Sequence, residues 1–124
     1  MYSAGGGDPE TRTAARGVVR TNLTALARAD GKAFCGTYTT RFLRTYRDSY
    51  ARCVQSFRGP PKPSAPAPRI VWGEFLTASD EKVAVEFRVD GGRTQSYYLE
   101  FRRPPPAVGS TARWLIDLET VERE

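Results

Sequence analysis

Five prolines crowd the nine residues Pro60 to Pro68 and divide the 124-residue chain into halves of opposite periodicity. Proline has no backbone N–H and a locked φ, so this tract reads as an extended surface connector and cannot be helix. Before it, apolar residues recur every three or four positions. After it they alternate. A run of helices followed by a run of strands defines an α+β domain, with N-terminal helices packed on a four-stranded antiparallel sheet. The chain is long enough for one core, so the organisation is read as a flexible tail at 1–7 and a single domain at 8–124. Within the domain, 8–59 is the helical half, 60–68 the linker and 69–121 the sheet.

The first helix opens at Asp8-Pro9-Glu10, where Asp8 is placed to cap, Pro9 suits the first turn and Glu10 opposes the helix dipole. Ala15, Val18, Val19, Leu23 and Leu26 form its core face, and Gly31 is expected to end it in the left-handed conformation. Phe34, Tyr38, Phe42 and Tyr46 recur every four residues and predict a second helix with an aromatic buried edge, weakened in its first turn by Gly36. After a break near Arg47-Asp48, with Asp48 as N-cap, Tyr50, Cys53, Val54 and Phe57 predict a short third helix that Gly59-Pro60 closes. Asn22-Leu23-Thr24 matches a glycosylation acceptor, but its place inside a helix marks the match as chance.

Cys35 and Cys53, the two cysteines of the chain, lie on the apolar sides of neighbouring helices. They are either two buried thiols or a disulfide closing a loop of roughly twenty residues. The disulfide is the preferred reading and implies an oxidising compartment.

Beyond the linker, Arg69 to Thr77, Lys82 to Val89, Gln95 to Arg102 and Ala112 to Val121 read as strands, with a hairpin turn at Asp90-Gly91-Gly92. Strict alternation puts Val83, Val85, Phe87, Tyr97, Leu99, Phe101, Trp114, Ile116 and Leu118 on the core face. The same alternation sends Glu86, Arg88, Glu100, Arg102, Asp117 and Glu119 to the opposite, solvated face.

The net charge of +5 raises the possibility of nucleic-acid binding through Arg41, Arg44, Arg47, Arg52 and Arg58. Those positions spread around the helices without forming a stripe, so no nucleic-acid partner is expected. Sixteen of the nineteen basic residues are Arg, which fits a solvated surface encoded by a GC-rich genome. With no His and only two Cys, no metal site and no cofactor are expected. No segment is apolar enough to span a membrane. The small residues at the start, Ser3-Ala4-Gly5-Gly6-Gly7, lack the form of a secretory leader but fit a segment that follows a removed leader or anchor.

Helices followed by a four-stranded sheet that ends in the Trp-containing strand Arg113-Trp114-Leu115-Ile116-Asp117-Leu118 resemble the nuclear transport factor 2-like superfamily, a cystatin-like α+β cone. The resemblance runs from Asp8 to Val121. Cys35 and Cys53 match positions at which small exported bacterial members, often lipoproteins, carry cysteines. It implies a curved sheet, an apolar pocket between sheet and helices, frequent homodimers through the sheet, and an extracytoplasmic location. It also implies two functional classes. The first is a non-catalytic module holding a small apolar ligand or a protein partner, with Phe34, Tyr38, Phe42, Trp72, Tyr97 and Trp114 as lining. The second is a cofactor-free isomerase or dehydratase with Glu74 as base and Tyr38 or Tyr46 polarising a carbonyl oxygen. The lack of His and the outward phase of the strand acids favour the first.

Overall fold

The computed structural model describes residues 3–4, 9–46, 48–102 and 113–121. Four helices, α1 (Pro9–Ala27), α2 (Gly31–Cys35), α3 (Thr40–Tyr46) and α4 (Tyr50–Gln55), precede four strands, β2 (Ile70–Ser79), β3 (Lys82–Val89), β4 (Thr94–Arg102) and β5 (Arg113–Val121). The strands form an antiparallel meander with neighbours in chain order. A two-residue strand β1 (Ser3–Ala4), in the stretch expected as a tail, extends the edge by pairing with Leu76 and Thr77. The expected Asp8 cap, Arg47 and Ala112 lie outside the described residues. α1 and α3 lie against β5, and α1 also reaches β3. Between helices and sheet lies one core, which includes Val19, Phe34, Phe42, Val85, Phe87, Leu99, Trp114 and Ile116.

The helical half departs from its periodicity in two places. α1 ends at Ala27, and the left-handed residue is Ala29 (φ 53°), not Gly31. Asp30 instead caps α2, its Oδ1 accepting from Ala33 N at 3.2 Å. Gly31 starts α2 and is pressed on Phe57, where a Cβ would sit 3.1 Å from the ring. Asp30 and Gly31 therefore open one helix and do not close another. On α1, Ala15, Val19 and Leu23 are buried as expected, whereas Leu26 is 52% exposed and Asn22 and Ala25 join the buried face.

The expected second helix is two helices, α2 and α3, separated by Gly36-Thr37-Tyr38-Thr39. Across this gap tertiary bonds replace helical ones: Ile116 N donates to Thr37 O at 2.7 Å, and Thr39 N donates to Ile116 O at 2.9 Å. Thr39 then caps α3, its Oγ1 accepting from Phe42 N at 3.1 Å. A glycine and two β-branched residues leave the helix weak enough for the edge of β5 to win the competition. The aromatic stripe persists through the break, with Tyr38 and Phe42 stacked at 4.5 Å and Phe42 and Tyr46 at 4.8 Å. Ser49, not Asp48, caps α4, with Arg52 N donating to Ser49 Oγ at 3.1 Å.

The sheet contains two irregularities that matter below. In β2, Trp72 pairs with Phe87 and Phe75 with Val85, so Gly73 and Glu74 together oppose Glu86. In β5, Leu118 pairs with Tyr98 but Ile116 pairs with Leu99, which leaves Asp117 as an extra residue. Each bulge shifts the alternation by one.

Cys35 of α2 and Cys53 of α4 are joined at disulfide distance, with Cα atoms 6.0 Å apart. Both are fully buried. Among the described residues no helix is long and apolar enough to cross a membrane.

Candidate functional site

The bulge at Asp117 corrects the phase expected for the end of β5. Past it, Leu118 turns outward and is 39% exposed, while Glu119, paired with the buried Tyr97, turns toward the helices. The expectation that Glu119 faces water is therefore overturned, because alternation holds only while one residue opposes one.

Glu119 meets a chain of polar groups inside the core. The Tyr38 hydroxyl donates to Glu119 Oε1. The Tyr97 hydroxyl donates to Asn22 Oδ1 at 3.1 Å, Asn22 Nδ2 donates to Thr37 Oγ1 at 2.8 Å, and Thr37 Oγ1 donates to Phe34 O at 2.7 Å. Tyr38, Tyr97, Asn22 and Thr37 are all buried, Asn22 completely. Burial, then the negative charge of Glu119, push both phenols well above the ordinary tyrosine range; for Tyr38 the Asn22 amide works weakly in the opposite direction. At neutral pH both phenols are thus fixed as proton donors aimed into the core.

Asp117 occupies the rim. Thr39 Oγ1 donates to its Oδ1 at 2.6 Å, and the Arg41 guanidinium pairs with it. Arg41 also approaches Glu100 at 3.5 Å, as do Lys82 at 3.7 Å and Arg102 at 2.6 Å. Burial raises the carboxyl of Asp117, but hydrogen bonds from Arg41 and Thr39 and the charges of Arg41 and Arg102 outweigh it and hold the group below its usual range.

The residues named from sequence fall into three groups. Phe34, Tyr38, Phe42, Tyr97 and Trp114 are buried in the core, and Trp72 packs against them half-buried. These rings touch one another: Phe34 lies 5.2 Å from Tyr38, and Phe87 bridges Trp72 and Tyr97 at 6.3 and 4.8 Å. Glu74 is exposed at the β2 bulge and Tyr46 is 60% exposed, so neither has the burial required of a base or polariser inside the domain. Of the arginines considered for nucleic acid, Arg41 and Arg52 pair with acids while Arg44 and Arg58 are exposed on separate helices or turns. Sequence reasoning missed Asn22 and Glu119. The only signal at Asn22 was a polar side chain on the apolar stripe of α1.

A groove of about 500 Å³ runs between α1, α2 and the start of β5. Ala14, Gly17, Val18 and Ala33 form its apolar surface and Trp114 one wall, while Lys32 and Arg113 are also at its boundary. Thr37 connects the groove to the buried polar chain. Gly17 has no atom within 4 Å of where a Cβ would stand, so no packing contact requires a glycine in the interior of this helix. A glycine there weakens α1 by roughly 1 kcal/mol relative to alanine, and what it preserves is open space. Among the described residues no group of three His, Cys, Asp or Glu is placed to hold a metal ion.

No protein-family model, curated protein or solved structure matches the chain.

Proposed function

We propose that the chain is a non-catalytic, extracytoplasmic binding module of the nuclear transport factor 2-like kind, and that it holds a small apolar ligand in the groove between α1, α2 and β5. The observation that carries this reading is the open, mostly apolar groove floored by a glycine that packing does not require. The aromatic lining named from sequence fills the core, apart from the half-buried Trp72, so the reading moves the ligand outward to the face where Trp114 ends. The joined, buried Cys35 and Cys53 support an oxidising compartment, reached by export or by attachment to a membrane through an N-terminal segment.

The test is titration with phenylnaphthylamine, an uncharged apolar dye that brightens on burial. Saturable binding to the unsubstituted chain, lost in Gly17→Phe with the thermal midpoint unchanged or raised, is the expected result. Equal binding by both proteins, or none by either, removes the reading.

One observation favours a second reading, the cofactor-free isomerase or dehydratase. Glu119 and Tyr38 put a carboxylate beside a protonated phenol inside the domain, a base and an oxyanion donor, and Glu119 takes the role first given to Glu74. It ranks second because the groove reaches Thr37 but not Glu119, and a substrate would have to displace the phenol. Exchange of α-protons of cyclic enones in heavy water, abolished in Glu119→Gln, would put it first.

A further inference from the structure

α1 carries Arg12, Arg16 and Arg20 at four-residue steps, a ridge about 12 Å long on one helix face. All three lie over aromatic rings of β2. The guanidinium carbon of Arg12 is 5.7 Å from the centre of Phe75, and those of Arg16 and Arg20 are 5.3 and 5.7 Å from that of Trp72. Trp72 and Phe75 are three residues apart and would point to opposite sides of a regular strand. The bulge at Gly73 and Glu74 brings both to the helix side, opposite Phe87 and Val85.

Like charges at four-residue steps repel and weaken a helix. Three arginines elsewhere in the described residues are answered by acids, Arg41 by Asp117, Arg52 by Asp48 and Arg102 by Glu100. Among the described residues Arg16 and Arg20 have no ion-pair partner, and the Nε of Arg16 is buried with no hydrogen-bond acceptor. A ring beneath a guanidinium occupies one face of the cation, while its N–H groups project in the plane, outside the footprint of the ring. Trp72 thus concentrates two such cations at one place without neutralising either.

We propose that this ridge is an oxyanion site for phosphate-class groups. Arg16 and Arg20 above Trp72 take one group. The ligand is a molecule with closely spaced phosphates or a phosphate headgroup at an anionic lipid surface. The site is separate from the groove and independent of its occupant.

The two tryptophans let the sites be read apart. In Trp114→Phe the remaining Trp72 reports on the ridge, and it is titrated with pyrophosphate. The expected result is a saturable change in Trp72 emission that weakens with added sodium chloride, with affinity about tenfold lower for each arginine replaced in Arg16→Met and Arg20→Met. Arg44→Met, on α3, leaves the affinity unchanged. Titration calorimetry of the unsubstituted chain supplies the same measurement if Trp114→Phe does not fold. A parallel sedimentation with phosphatidylglycerol and phosphatidylcholine vesicles identifies the source. Retention on phosphatidylglycerol alone, weakened by the two substitutions, assigns a lipid headgroup; pyrophosphate binding without retention assigns a soluble phosphate. Absence of saturable binding in both arms at low ionic strength, or equal binding by the Arg16→Met, Arg20→Met double variant, overturns the proposal.

Discussion

Glu119 and Asp117 are two residues apart on β5 and both half-buried, yet their partners differ: those of Glu119 are buried, and the cation that pairs with Asp117 is exposed. Glu119 lies on the helix side among Tyr38, Tyr97 and Asn22, which water scarcely reaches. Asp117 is the extra residue of the bulge, its side chain 14% exposed at the rim, where its partner Arg41 is 62% exposed. In the interior each hydrogen bond is irreplaceable, because a stranded donor or acceptor has no water to turn to. At the rim water and salt compete for the exposed cations, Arg41, Lys82 and Arg102, so the ion pairs there add little stability. The difference shows that hydrogen-bond count is a poor guide to importance. The rim contacts are the more dispensable.

The experiments that most strain this comparison begin with the disulfide, because Cys35 ends α2, from which the Thr37–Thr39 segment serving both networks departs. Reduction, or Cys53→Ser, is expected to lower unfolding free energy by about 3 kcal/mol, read by denaturant titration. Intact mass must first show a gain of two hydrogens on reduction, and an unchanged mass would dismiss both the link and the argument for export. Next comes Asn22→Leu, a near-isosteric change that removes the buried acceptor of the Tyr97 hydroxyl and the buried donor to Thr37 Oγ1. It should cost about 2–3 kcal/mol, and a loss no greater than that of an average surface substitution would refute the interior picture.

The comparison sharpens with pH. Tyr38 and Tyr97 have native pKa values raised above 10.0, the unfolded value. Their contribution is complete below that pH and is lost as pH rises past it, because only the unfolded chain releases the protons. Phenolate absorbance should therefore show two tyrosines that ionise only with unfolding, and the alkaline midpoint should move upward in Tyr97→Phe. Asp117 acts at the other end and more weakly. Its native pKa is lowered from 3.8, so its contribution is present above that pH and lost as pH falls through the native value. Asp117→Asn should flatten the acid limb of the stability profile slightly, and Arg41→Met should move the thermal midpoint least of all. A larger shift for Arg41→Met than for Asn22→Leu would invert the ranking.

Much of the fold could be read along the chain. The Pro60–Pro68 tract, the alternation of Lys82–Val89 and Gln95–Arg102, and the hairpin glycines led to strands that the structure places within one or two residues. The cysteine pair was legible for the same local reason, since each thiol sits on an apolar helical face. The candidate sites were far less legible. Trp114 was named for a pocket and does wall the groove, but Phe34, Tyr38, Phe42 and Tyr97 are core, and the ridge of Arg12, Arg16 and Arg20 drew no notice because nothing in α1 itself announces the rings beneath it.

What the amino-acid sequence determined by itself is whatever depends on neighbours in the chain: the helix-then-strand order, the turns, and the apolar faces of regular segments. Tertiary structure alone decided where regularity stops. Ile116 takes the backbone bonds of Thr37 and Thr39 away from a helix, one extra residue at Asp117 swings Glu119 to the helix side, and another pair at Gly73 and Glu74 lays Trp72 and Phe75 under the arginines. A bulge is a property of two strands in register, so the periodicity of one strand cannot contain it, and the side chains it redirects build the arginine ridge and the buried polar chain.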